Sequence, residues 1–138
     1  MEQEELKVKI YDNWDLYLST RQYPYIGRCI ATSKATNSTN VLDMTLDERN
    51  EFFDKVLVEW NKVVSEAFKP DLVNVACLCN NYKHLHWQLV PRYAKPVMFN
   101  GKKFVDERFG HNYSPTPKKE LPDELTVKIY ETVKSHFH

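Results

Sequence analysis

Leu72-Val73-Asn74-Val75-Ala76-Cys77-Leu78, a polar stretch ending in Asn80-Asn81-Tyr82-Lys83, and then His84-Leu85-His86-Trp87-Gln88-Leu89-Val90 form the segment whose reading decides the fold. Both flanking runs have strand length and are rich in β-branched, aromatic and other apolar side chains. Between them, two Asn tolerate positive backbone angles and make local hydrogen bonds. The segment therefore predicts a β-hairpin of strands over 72–78 and 84–90. Side chains alternate across a strand, so His84, His86, Gln88 and Val90 point one way and Leu85, Trp87 and Leu89 the other. The large apolar set predicts a face buried against helices. Anchored so, the opposite face holds two imidazoles and one amide in the fixed row that a catalytic constellation needs.

Working outward, Leu6 to Ile10 and Trp14 to Leu18 read as two half-buried strands joined at Asp12-Asn13, and Gly27 to Thr32 as a third. A polar loop follows from Ser33 to Asn40. Thr45 and Glu48 form a capping box ahead of Phe52, Phe53, Val56, Leu57, Trp60, Val63, Val64 and Phe68, whose three- and four-residue spacing predicts a long helix with a core-facing aromatic stripe. Pro70 ends it. Val97 to Pro117 has no sustained period and reads as a loop-rich wrap. Pro122-Asp123-Glu124 then opens a C-terminal helix carrying Leu125, Ile129, Val133 and Phe137. With no internal repeat and no linker, residues 1–138 read as one α+β domain, long enough to bury a single core.

The 19 basic and 19 acidic side chains cancel, so no global field draws the chain to a nucleic-acid polymer or an anionic membrane. Charge is nonetheless uneven. From Lys83 to Lys119 there are eight basic residues and two acidic ones, a net of +6, which suits a bound anionic small molecule. Cys29, Cys77 and Cys79 are an odd count, and two cysteines on one strand at that spacing stand too far apart along it for a disulfide. A reduced compartment follows. The acidic start, Met1-Glu2-Gln3-Glu4-Glu5, lacks the features of a signal peptide, and no apolar run spans a bilayer. A cytoplasmic protein is expected.

The row His84, His86, Gln88 fits nucleophilic catalysis at phosphorus. A neutral imidazole attacks through one nitrogen when the other donates its proton to a fixed acceptor such as a backbone carbonyl. In this scheme His86 is the nucleophile, His84 orients it or hydrogen-bonds phosphate, and Gln88 donates its amide N–H to developing charge. Arg92 offers a fork for phosphate, and His111 approaches from the irregular segment. His136 and His138, at the end of the chain, are given no role.

Asn74-Val75-Ala76-Cys77-Leu78-Cys79-Asn80 followed by His84-Leu85-His86-Trp87-Gln88-Leu89-Val90-Pro91-Arg92-Tyr93 resembles the signature region of the histidine-triad superfamily of nucleotide hydrolases and transferases. Tyr25-Ile26-Gly27-Arg28-Cys29-Ile30, the capped helix after Thr45, and Phe109-Gly110-His111-Asn112-Tyr113 resemble its short prokaryote-type members. The resemblance implies an antiparallel sheet of about five strands with one long and one C-terminal helix, usually dimerised. It also implies a nucleotide α-phosphate passing through the middle histidine, here His86, with no cofactor. Asn80 falls where the family places a polar residue beside the site, which makes it a candidate contact to phosphate or ribose.

Gln88 stands where the third histidine usually lies, and no histidine occurs in the loop Ser33 to Asn40, where many members carry one. The His-x-His-x-Gln pattern is that of the superfamily's transferase branch, which includes galactose-1-phosphate uridylyltransferase. Because Gln cannot give a proton to a leaving group, substrates whose leaving group departs as an anion are favoured. AMP-linked dinucleoside polyphosphates fit better than phosphoramidates, with the acceptor, water or phosphate, left open. Two alternatives stand beside this reading: a nucleotide-binding module without turnover, and a metal site using His84 and His86, for which no carboxylate partner lies nearby.

Overall fold

A computed structural model describes residues 1–137, so His138 lies outside the described residues. The elements in chain order are β1 (Lys7–Ile10), β2 (Trp14–Leu18), β3 (Cys29–Ser33), α1 (Leu46–Glu51), a π-helical turn (Phe52–Val56) leading into α2 (Leu57–Ala67), β4 (Leu72–Ala76), β5 (His86–Arg92), β6 (Val97–Phe99), β7 (Lys102–Phe104) and α3 (Asp123–His136). The first five strands make one antiparallel sheet in the order β1-β2-β3-β5-β4. An α+β architecture with a five-stranded sheet, one long helical arm and a C-terminal helix is thus what the sequence leads to. Connectivity explains the order, because the helical arm after β3 carries the chain to the far edge and β5 returns between β3 and β4.

Alternation sets the two faces of the sheet. Trp14, Leu16 and Leu18 of β2, Cys29 and Ala31 of β3, Leu85 just before β5, and Trp87 and Leu89 within it are all buried and share one core cluster with Phe52, Val56, Trp60, Val63, Val64 and Phe68 of the helical arm. That arm begins at the expected box: Thr45 Oγ1 accepts from the Glu48 N–H at 3.1 Å, and Glu48 Oε1 accepts from the Thr45 N–H at 3.0 Å. Phe53 departs from the expected stripe. It is 46% exposed, yet its ring still meets Trp87 edge-on at 5.8 Å while Phe52 stacks on the same indole at 4.6 Å. At the C-terminus, Ile129 and Val133 of α3 join the core, and the Tyr130 hydroxyl donates to the Lys7 carbonyl at 2.6 Å.

Two local expectations change. The hairpin link is longer than the polar tetrapeptide, since β4 stops at Ala76 and β5 starts at His86. Cys77 and Cys79 have left the ladder, with Cys79 at φ 54, so they do not share a strand at all. Their thiols are free, 3.8 Å apart. In the segment read as wholly irregular, β6 and β7 form a second hairpin over Asn100-Gly101, both at positive φ (46 and 78). Asn-Gly is the residue pair that a two-residue hairpin turn of this kind demands, and a search for longer periodicity overlooks it.

Gly27 governs how closely the entry to β3 approaches α2. Its φ is +96, and a Cβ there would lie 3.0 Å from Val64 Cγ1 and 3.1 Å from Phe68 Cδ2. Its carbonyl also accepts from the Trp60 indole N–H at 3.1 Å. Gly110, at φ +91, would place a Cβ in open space. Both alanine variants carry the backbone strain of a positive φ, but Gly27→Ala adds overpacking. In urea unfolding, Gly27→Ala is expected to exceed Gly110→Ala in destabilisation by about 1–3 kcal/mol.

Candidate active site

The polar face of the sheet is assembled by register. His86 lies opposite Thr32, and Gln88 opposite Ile30 on one side and Ala76 on the other. Ile30 in turn faces Tyr17. His86 is only 8% exposed although it lines two grooves, one on each side of the His86–Gln88 row. Tyr82, from the connection before β5, covers both imidazoles, its ring centroid 5.2 Å from that of His86 and 5.8 Å from that of His84.

Backbone carbonyls orient both rings. The Nδ1–H of His86 donates to the His84 carbonyl at 2.6 Å, and the Nε2–H of His84 donates to the Ser33 carbonyl at 2.6 Å. A carbonyl oxygen accepts only, so these contacts fix which nitrogen carries the proton. In the neutral His86 ring Nε2 then holds the lone pair. His84, whose residue precedes β5, therefore acts on His86 through its main chain, and its own ring is tied back to β3. Cys79 Sγ lies 3.8 Å from His86 Nδ1. Burial and the neighbouring Cys79 push the Cys77 thiol up to about 12, which keeps it protonated near neutral pH.

Gln88 is oriented by a residue that the sequence reading passed over. Arg28 donates from Nη2 (2.9 Å) and Nε (3.3 Å) to Gln88 Oε1. A guanidinium only donates, so the amide oxygen must face it and the amide nitrogen is left for the groove. Arg28 directly precedes β3 and shares the face of Ile30 and Thr32 by simple alternation. Extending the period-two reading of Gly27 to Thr32 by face would have found it.

The other expected residues separate. Asn80 lines one groove together with His86 and Gln88. Arg92, expected to hold phosphate, is instead buried: it forks onto Asp106 (2.7 and 3.2 Å) with the two side chains 3% and 0% exposed. Its remaining N–H groups donate to Asn74 Oδ1 and to the carbonyls of Arg108 and His111, each at 2.8 Å. Fully engaged in this way, it has no donor to offer a ligand. His111 takes part only through its main chain, its carbonyl accepting from Arg92 and its N–H donating to the Arg108 carbonyl at 2.7 Å, and its exposed residue lines neither groove. What Arg92 does is pin the strap that follows β7, bringing Tyr113, Thr116 and Lys118 to the groove wall. The Tyr25 hydroxyl holds the same strap by donating to the Tyr113 carbonyl at 2.8 Å.

The two grooves differ in charge. One, of about 490 Å³, is lined by Arg21, Arg28 and Lys118 and by no carboxylate. The other, of about 520 Å³, is lined by Glu2 and Glu4 and by no Lys or Arg, with Tyr17, Ile30 and Thr32 as its apolar and hydroxyl floor. Hydrogen bonds from Lys7 and Tyr17 hold the Glu4 carboxyl below its ordinary value. Among the described residues, no three His, Cys, Asp or Glu side chains are grouped to hold a metal ion, and no helix is long and apolar enough to cross a membrane.

No family model matches the sequence, and no curated protein matches it. Among solved structures, the chain is similar to a histidine-triad protein from Sinorhizobium meliloti, at 16% identity and a TM-score of 0.71, over 96% of this chain and 89% of the other. It is similar to a histidine-triad protein from Bradyrhizobium japonicum, at 10% identity and a TM-score of 0.72, over 98% and 93%. A hypothetical histidine-triad nucleotide-binding protein from Sulfolobus tokodaii matches at 18% identity and a TM-score of 0.71, over 95% and 82%. The fold is that of the histidine-triad proteins.

The strap depends on a buried charge pair, and removing one member leaves the other uncompensated. Asp106→Ala is expected to cost about 3–5 kcal/mol in urea unfolding. The exposed Lys103→Ala is expected to stay within about 0.5 kcal/mol of the parent.

Proposed function

We propose that the chain is a nucleotide hydrolase or nucleotidyltransferase acting on the α-phosphate of AMP-linked substrates of the dinucleoside polyphosphate type, through a covalent His86-nucleotidyl intermediate. The observation that carries this reading is the 2.6 Å hydrogen bond from His86 Nδ1–H to the His84 carbonyl, at the junction of two grooves. In this reading the lone pair left on Nε2 makes it the attacking atom. As the Nε2–phosphorus bond forms, the phosphorus–oxygen bond to the leaving group breaks and its electron pair stays on that oxygen. The imidazole acquires positive charge, which the His84 carbonyl stabilises through the proton on Nδ1. In the second step water or phosphate attacks the same phosphorus, the phosphorus–nitrogen bond breaks, and neutral His86 returns.

Gln88 donates its amide N–H to the phosphoryl oxygens but has no proton to transfer, so the leaving group must depart as an anion. Phosphoanhydrides meet this condition and phosphoramidates do not. In this reading Asn80 contacts phosphate or ribose from the groove edge. A homodimer in a reduced, cytoplasmic setting completes the proposal. It is supported by the edge position of β4, where Leu72 is exposed, and by free thiols at Cys29, Cys77 and Cys79.

The test is intact-protein mass spectrometry after brief incubation with diadenosine polyphosphates, with released AMP and ADP assayed in the same samples. An acid-labile adenylate adduct, or mononucleotide release, is expected for the parent and not for His86→Ala. If the parent gives neither, while nucleotide affinity survives intact in His86→Ala, the chain is a binding module without turnover.

A further inference from the structure

Arg28 is a cation buried without a counter-ion. Its residue is 8% exposed, and no carboxylate lies within ion-pair distance of it among the described residues. Its donors reach only neutral oxygens, those of the Gln88 amide and, at 3.2 Å, the Thr116 hydroxyl; the Tyr113 ring lies 5.3 Å from the guanidinium carbon. Burial draws its pKa downward, the mark of a desolvated charge. Such a charge costs free energy unless something compensates it. The groove before it adds Arg21 and Lys118 and no acid, whereas the groove beyond His86 is lined by Glu2 and by Glu4, which Lys7 pairs at 3.1 Å.

We propose that the Arg28 groove receives a polyphosphate leaving group, and that Arg28 is the specificity-determining residue which selects it. The proposal rests on the phosphoryl-transfer reading and adds a direction to it: nucleoside toward Glu2 and Glu4, polyanion toward Arg28. When the phosphorus–oxygen bond breaks, the bridging oxygen keeps the electron pair and leaves as part of a terminal phosphate. No proton is required. A third histidine would have supplied one, and here Gln88, with its amide held by Arg28, and the Arg28 charge stabilise the oxyanion in its place. Leaving groups that carry no phosphate draw only on the orientation of Gln88 and not on the Arg28 charge.

The experiment has a binding arm and a kinetic arm. Calorimetric titration with inorganic tripolyphosphate is expected to show binding to the parent that weakens about tenfold or more in Arg28→Gln, the loss of one charge-assisted contact. AMP affinity, which reaches Arg28 only through Gln88, is expected to weaken by at least about threefold less than tripolyphosphate affinity does. In the kinetic arm, Arg28→Gln lowers kcat/KM about a hundredfold on diadenosine tetraphosphate. On the p-nitrophenyl ester of AMP, whose leaving group has no phosphate, only the part of the loss that acts through the orientation of Gln88 is expected, so the loss on diadenosine tetraphosphate exceeds it by about tenfold or more. Equal losses on the two substrates, or unchanged tripolyphosphate affinity, overturn the proposal.

Should Arg28→Gln not fold, the double variant Arg21→Gln/Lys118→Gln at exposed positions applies the same binding criterion, and unchanged affinity for tripolyphosphate overturns the cationic groove. Arg28-dependent tripolyphosphate binding without turnover by the parent would sink the catalytic reading and leave the polyanion site standing. Turnover indifferent to Arg28 would do the reverse.

Discussion

The constraint on which the rest of this molecule depends is the alternation along β5. One strand must keep Trp87 and Leu89 dry while it presents His86 and Gln88 to two grooves. Burial of the apolar set supplies the free energy, because each large side chain taken out of water contributes roughly 1.5–3 kcal/mol. Rigidity follows from the same burial. Trp87 lies between His86 and Gln88 in sequence, and its indole is held from behind by Phe52 and Phe53. The polar face is therefore held steady from behind, and its own hydrogen bonds, from the His84 carbonyl to His86 and from Arg28 to Gln88, have only to orient single side chains.

A second dependence runs through the strap after β7. That segment has few backbone hydrogen bonds of its own, so its course is set by side chains reaching in from the sheet. Arg92 satisfies two of its carbonyls and Asp106 at once, and Tyr25 satisfies a third. Arg92, expected to offer a fork to phosphate, is thereby committed to the fold, while Arg28, just before β3, lines the groove.

The sequence reveals which side chains share a face, because period two and period 3.6 are local properties. The β4–β5 hairpin, the helical stripe, and the placing of His86 and Gln88 on one face were legible for that reason, whereas His84 precedes β5 and turns its ring to the Ser33 carbonyl. What covers a face depends on contacts between residues far apart in the chain, and periodicity is silent on those. Arg92 shares the face of His86 by alternation, yet the strap from Asp106 to His111 folds over it, which no count along β5 reveals. Arg28 lay within reach of the alternation rule but belonged to a strand whose partner was unknown. Its meaning appears only when Ile30 is set opposite Gln88.

The π-helical turn at Phe52–Val56 has a bearing on how this chain can change over generations. A π turn closes its hydrogen bonds one residue further along than an α turn, so it behaves as a single-residue insertion in the helix. Before it, Glu48 and Glu51 turn their carboxylates toward Ser33 and the Asp12-Asn13 corner; after it, Trp60, Val63 and Val64 join the core beneath the sheet. Both halves are tied to fixed partners. Loss of one residue between them would restore regular helix only by rotating one set away from its neighbours. The arm's length is thus inherited as a unit with the strand it backs, and the extra residue is what lets two adjacent aromatic rings close on one tryptophan.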